Sequence, residues 1–348
     1  MLTLERRRAE RSRKFFVLML LDAGAFAGVQ GSDHLISQVA SVLLKASRET
    51  DLIGWYKNDL VLGVIFTETS PEFKDSIIEI LRTKVLNTLN DDLGPELTAN
   101  LVITAHLFPE NQDGEGGETI ADSRLYPDLT QVSPQKSLPL LAKRVTDIVG
   151  SAALLILGSP LLIVTAIAIK LTSKGPVIFR QDRLGQFGAR FKCLKFRTMY
   201  ADNDPKIHEE YTQRFIAGKA EDETACGKPP IYKITNDHRV TRIGRILRKT
   251  SLDEFPQFWN VLTGEMSLVG PRPPVPYEYA IYDVWHRRRV LEVKPGVTGL
   301  WQVSGRSRTS FNDMVRLDLQ YSKSWSLWLD LKILVATPRA VLGGEGAY

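Results

Sequence analysis

The sequence predicts an α+β fold in two parts: an N-terminal sheet carrying helices on one face, then a domain that enters a membrane through a re-entrant helical hairpin. Three observations predict it. Short apolar runs of strand character alternate with longer runs of helical period over residues 15–106. Ile148–Ile169 then runs for 22 residues without a charged side chain. The charge also changes sign along the chain, with 14 basic against 20 acidic residues in 1–138 and 31 against 20 in 139–348. The second part should therefore seek phosphates or an anionic surface.

In chain order, Met1–Lys14 is Arg-rich (Arg6, Arg7, Arg8, Arg11, Arg13), and the apolar run Phe15–Leu21 is too short for the core of a signal peptide. The first domain is expected in the cytoplasm. Its pattern predicts a strand at 15–21, a helix near 33–47, strands near 51–56 and 60–66, a helix at 72–90 and a strand at 98–106. An acidic, Gly-rich loop follows at 110–118. Tyr126–Pro139, with Pro127, Pro134 and Pro139 among Ser and Gln, reads as a linker. The domains are thus 13–127 and 139–348, with 128–138 between them. Cys193 and Cys226 form no CxxC pair and the 5 histidines do not cluster, which excludes a disulfide framework and a structural zinc site and fits a reducing compartment.

The uncharged run is long enough to enter a bilayer, yet Gly158, Ser159 and Pro160 sit at its centre. Proline removes an amide donor there, and Ser159 can satisfy the freed carbonyl. Lys143 and Arg144 precede the run and Lys170 and Lys174 follow it, so the positive-inside rule puts both ends on the cytoplasmic side. That favours a re-entrant hairpin over a span. The alternative is a kinked central helix of a soluble core.

Three basic segments follow: FKCLKFRTM at 191–199, HRVTRIGRILRK at 238–249 and GPRP at 270–273. Such arginines suit bidentate phosphate recognition. Arg239, Arg242, Arg245 and Arg248 recur every three residues around Val240, Ile243 and Leu247, giving an amphipathic basic helix that can also rest on anionic headgroups. Asp253-Glu254 comes next. Adjacent acids are common on solvated faces, but between basic segments such a pair can hold Mg²⁺ against a diphosphate. One carboxylate can also attack phosphorus to form an acyl phosphate.

Residues 140–342 resemble the bacterial polyprenyl-phosphate sugar-phosphate transferases, or monotopic phosphoglycosyl transferases. The resemblance rests on KRVTDIV at 143–149, Ser159-Pro160, GPVIFRQDRLG at 175–185, KFRTM at 195–199, RKTSLDEFPQFWNVLTGEMSLVGPRP at 248–273, KPGVTGLWQVSGR at 294–306 and LDLQYSKSWSLWLDLKIL at 317–334. It implies a mostly α-helical domain, monotopic in the bacterial inner membrane and facing the cytoplasm. It further implies a UDP-sugar donor (glucose or galactose), undecaprenyl phosphate as acceptor, Mg²⁺ as cofactor and no nucleic-acid polymer as partner. By that resemblance Asp253 is the nucleophile that displaces UMP, and Glu254 is a Mg²⁺ partner or a proton acceptor, so the metal would sit on Asp253 and Glu254. Lys195, Arg197 and Arg248 would hold phosphate oxygens, and Arg272 falls on the nucleotide-binding motif. Arg306 and Asp318 fall on further polar site positions, or else brace loops. The Trp325–Leu329 run and Trp285 with Arg287–Arg289 suit a membrane interface or, for the tryptophans, a core. A competing reading for the whole chain is a membrane scaffold or nucleotide sensor whose transferase part has decayed.

Residues 13–127 resemble a diguanylate cyclase (GGDEF-like) domain, through FFVLMLLDAGAF at 15–26, RETDLIGWYKNDLVLGVIF at 48–66 and ADSRLY at 121–126. The active turn is replaced by KNDLV, and Gly24 stands where a second acid would follow Asp22. Cyclase activity is therefore not expected. Arg48 and Asp51 keep the RxxD spacing of that family's allosteric site, which implies a cyclic di-GMP receptor; the alternative is a dimerisation or spacer domain. A homodimer is expected on either view.

Overall fold

Along β1 (Phe16–Asp22), Val17, Met19 and Leu21 point to one face and Phe16, Leu18 and Leu20 to the other, and all six are buried, as in a central strand. The computed structural model describes residues 1–12, 14–24, 32–58, 60–67, 76–110, 122–130, 134–200, 206–216, 239–304 and 309–342. They fall into two units, one made of Met1–Glu115 with Asp122–Thr130 and the other running on from Gln131. Residues 111–118 of the acidic loop, Cys226 and Arg306 lie outside the described residues.

The first unit contains α1 (Leu2–Ser12), β1, α2 (Ser32–Ala46), β2 (Leu52–Lys57), β3 (Val61–Phe66), α3 (Ile77–Leu93), α4 (Pro95–Thr98), β4 (Val102–Phe108) and α5 (Pro127–Thr130). The sheet order is β2-β3-β1-β4, antiparallel throughout, with Val17 opposite Phe66 on one side and Leu107 on the other. One face of the sheet packs on α2 and α3 through Val39, Leu43, Val85 and Leu89. The sequence predicted helices on that face alone. The other face is closed as well: Phe108 stacks on Phe16 and meets Tyr126 edge-on, and Arg6 of α1 lies 4.6 Å over the Tyr126 ring while pairing with Asp128. Tyr126 and α5 therefore finish this unit rather than form a linker. Pro127 and Pro134 each occupy the first position of a helix, where a missing amide donor costs nothing.

The second unit contains α6 (Pro134–Thr172), the hairpin β5 (Ile178–Leu184) and β6 (Arg190–Phe196), α7 (Lys206–Ile216), α8 (Arg242–Thr250), α9 (Gln257–Thr263) and β7 (Ser267–Val269). It continues through α10 (Pro276–Ala280), α11 (Val284–Leu291), β8 (Gly296–Thr298), α12 (Leu300–Ser304), α13 (Phe311–Ser324) and α14 (Leu327–Leu342). β7 and β8 form a parallel pair. Gly270 and Gly296 meet beside it so closely that a Cβ on Gly296 would lie 2.0 Å from the Gly270 amide nitrogen.

The hydrophobic segment forms one continuous 39-residue helix, so two separate hairpin arms are not drawn. Its hydrogen bonding survives Pro160 because Ser159 Oγ donates to the Ile156 carbonyl at 2.8 Å, the acceptor that Pro160 cannot serve. Only 11% of its most apolar 18-residue window is buried, so this helix is not the core of its own unit.

Both ends of α6 nevertheless attach to the same unit. Near its start Lys143 Nζ donates to Asp330 Oδ2 at 2.7 Å, and the Arg144 guanidinium donates to the Val261 and Leu262 carbonyls at 2.7 and 2.8 Å. Asp147, buried, accepts from Ser267 Oγ and Leu268 N. At the far end Ile169 packs with Phe196 and Leu247, and Arg197 Nη2 donates to the Ser173 carbonyl and hydroxyl, each at 2.8 Å.

Candidate functional site

The carboxylate pair sits in a tight junction between two short helices. Thr241 caps α8, its Oγ1 accepting from Gly244 N at 2.9 Å. The helix ends at Ser251, whose φ of 56° is left-handed, and Leu252–Glu254 then form one 3₁₀ turn before α9. Asp253 and Glu254 are half-buried on that turn. Gly264, with φ 89°, ends α9.

Two contacts fix the turn. Asn260 of α9, buried, accepts from Leu194 N at 3.0 Å and donates to Lys192 O at 2.9 Å, which pins α9 along β6. Phe255, next to Glu254, lays its ring on Gly158, where a Cβ would come within 3.3 Å. The pair therefore lies against α6 at the Gly158-Ser159-Pro160 point. Lys195 Nζ donates to Glu254 Oε1 at 2.8 Å, and Arg248 Nε donates to Thr198 Oγ1 at 3.0 Å.

α8 itself docks through Gly244, where an added Cβ would lie 2.0 Å from the Thr198 carbonyl oxygen. Gly244→Ala should therefore force α8 away from the Thr198 backbone just beyond β6, lowering stability by about 1–3 kcal/mol. Thermal unfolding in detergent checks this; an unchanged midpoint would show that the contact yields freely.

A second cluster surrounds the loop after β7. Arg272 pairs with Glu278, 3.3 Å away, and Glu278 also accepts from Val275 N. Burial alone would raise the Glu278 pKa, but Arg272, Arg183 and Arg289 together hold it below the usual carboxylate range. Arg289 pairs with Asp318 at 2.7 Å, both buried; burial pushes Asp318 up to about 6 against the pull of Arg289 and Arg272. Cys193 links the clusters. Burial raises its thiol pKa, while the charges of Arg183, Lys195, Glu254 and Arg272 all act on it.

Of the residues expected from the sequence, Asp253, Glu254, Lys195 and Arg248 gather around the turn, with Arg272 close enough to share the field at Cys193. Arg197 is held through Nη2, while its buried Nε and Nη1 have no hydrogen-bond partner among the described residues. It is buried and bonded to the carboxy-terminal end of α6, and an arginine that caps a helix and one that grips phosphate look alike in sequence. Asp318 of α13 is fully buried against Arg289 of α11. In the first unit Asp51 accepts from Arg48 N at 2.8 Å and from Thr67 N at 3.3 Å, closing the turn into β2.

Sequence reasoning missed Arg183 and Glu278, and it set Arg289 at a membrane interface with Arg287 and Arg288, whereas Arg289 is 2% exposed and paired with Asp318. Only Glu278 carried a local signal, the Pro276-x-Glu278 pattern of a helix start. The aromatic and cationic runs divide: Trp328 is 63% exposed, while Trp325 donates to Asp330 and Arg288 pairs with Glu292.

Residues 138–344 match the family described as bacterial sugar transferase. The galactosyl transferase CpsE of Streptococcus agalactiae is 44% identical over 60% of this chain and 44% of its own length. The exopolysaccharide production protein ExoY of Rhizobium meliloti is 41% identical over 60% of this chain and 88% of its own. A UDP-glucose:undecaprenyl-phosphate glucose-1-phosphate transferase of Caulobacter vibrioides is 41% identical over 63% of this chain and 78% of its own. The chain thus spans less than half of CpsE and most of the other two.

Proposed function

The chain belongs to the bacterial sugar transferase family, and from that premise we propose that it transfers a sugar 1-phosphate from a UDP-sugar to undecaprenyl phosphate, releasing UMP, as a first membrane step of exopolysaccharide assembly. The observation that carries this reading is the place of the Asp253-Glu254 turn. It has the Lys195 ammonium on one side, while Phe255 rests on the exposed apolar helix at Gly158. A water-soluble phosphate donor and a lipid phosphate need to meet at such a point. Relatives whose names specify galactose and glucose support those two sugars as donors.

On this reading the Asp253 carboxylate attacks the β-phosphorus of the donor, the bond to UMP breaks, and the acceptor phosphate then takes the sugar phosphate from the aspartyl group. Lys195 and Arg248 offset charge on the transferring phosphoryl oxygens. Asp253 and Glu254 suit Mg²⁺, an ion often bound through one or two carboxylates with phosphate oxygens and water filling its shell. Among the described residues no larger acidic or His/Cys group offers a competing site. Bound there, Mg²⁺ would neutralise diphosphate charge. Attachment of both ends of α6 to one unit supports a monotopic placement at the cytoplasmic face of the inner membrane, since a spanning helix would carry Ser173 away from Arg197.

For the N-terminal unit, the two backbone bonds of Asp51 favour the spacer or dimerisation reading over a cyclic di-GMP receptor. The test is UMP release from a panel of UDP-sugars by solubilised protein with undecaprenyl phosphate and Mg²⁺, with and without cyclic di-GMP. Release is expected with UDP-glucose or UDP-galactose and no change with the dinucleotide. A rate that responds to it in wild type but not in Arg48→Ala would establish the receptor. Folded protein inactive with every donor would sink the transferase reading.

A further inference from the structure

Two buried arginines outside the carboxylate turn are aimed at one loop. Pro271–Pro274 contains three prolines and so lacks three amide donors, which leaves its carbonyls as the means of holding it. Arg183 of β5 donates to the Pro273 carbonyl, and Arg289 of α11 donates to the Arg272 carbonyl at 3.2 Å. Both arginines are buried, at 6% and 2% exposure, and Arg289 is held in turn by the buried Asp318. Glu278 meets the Arg272 side chain and the Val275 amide just beyond.

Consecutive carbonyls on either side of the Arg272–Pro273 bond are thus tied to two different elements, which fixes the direction in which the Arg272 side chain leaves the loop. Arg183, Arg272 and Arg289 all act on the Glu278 carboxylate, and Arg289 also pairs with Asp318, so the loop is held from several sides at once. We infer that Arg183 and Arg289 are positioning residues that aim Arg272 at the diphosphate of the donor; the inference rests on the transferase reading above. Neither touches the reacting atoms.

Arg289 reaches both Asp318 and the Arg272 carbonyl through Nη2, so Arg289→Lys keeps a positive charge but places it one bond short of both contacts. In solubilised full-length protein it should raise KM for the UDP-sugar about tenfold, weaken inorganic pyrophosphate binding by a similar factor, and change kcat less than about threefold. In an Arg272→Ala background the same substitution should add nothing further, whereas a general structural defect would add its full effect. Arg183→Lys is run alongside, and decides the matter if Arg289→Lys does not fold. Unchanged KM and pyrophosphate affinity in a folded variant, or additive effects with Arg272→Ala, would overturn the inference. Pyrophosphate binding that depends on Arg289 through Arg272, without UMP release from any donor, would keep the inference and remove the transferase reading. Wild-type protein that neither binds pyrophosphate nor releases UMP would remove both.

Discussion

Asp253→Asn should lower UMP release by about 10³-fold or more, because the replacement keeps the shape of the side chain and removes the attacking oxyanion. The turn that carries it should persist. Ser251, Asn260 and Phe255 fix its path through the backbone and through contacts with β6 and α6, none of which uses the Asp253 charge. The loss should therefore appear in kcat with an unchanged thermal midpoint. Brief incubation with radiolabelled donor should leave label on wild-type protein and none on the variant. Activity within tenfold of wild type would assign the chemistry to another group, with Glu254 the first to examine.

The largest stability effect is expected at Asp330 on α14. Its carboxylate, 8% exposed, accepts from Lys143 Nζ and Tyr321 Oη at 2.7 Å each and from Trp325 Nε1 at 3.2 Å. Asp330→Ala strands a nearly buried ammonium, which costs about 3–5 kcal/mol. For a unit of this size that corresponds to a midpoint roughly 10 °C lower in detergent. The double variant Lys143→Met with Asp330→Leu should recover much of the loss, because it removes both charges and fills the space. If it is no better than the single variant, the pair is not what joins α6 to α14.

The β1–β3 region was legible because alternation and short apolar runs are local signals, and those strands lie within a residue or two of where the pattern puts them. α1 was not. Its buried face is made by Glu5, Arg6 and Ala9, and Arg6 becomes an interior residue only through Asp128 and Tyr126, more than a hundred positions away. Proline, serine and glutamine around 126–139 misled in the opposite direction, since two of the prolines begin helices. The break expected at Pro160 was right about the missing donor and about Ser159, yet that same repair lets the helix run on. At the site, the order of motifs pointed to Asp253, Glu254 and Lys195. The hold on Arg272 was invisible, because Arg183 and Arg289 act on carbonyls, and carbonyls have no residue type to read.

The Asn260 amide also bears on self-association. β5 and β6 make a two-stranded ribbon, and such a ribbon has a free rim on each side where a strand from a neighbouring molecule could zip on. By taking up Leu194 N and Lys192 O, a single side chain imitates one residue of a third strand and occupies the middle of the β6 rim. The residue that steadies the carboxylate turn thereby also guards the ribbon against aggregation by strand addition, and losing it would unseat the turn and open the rim together.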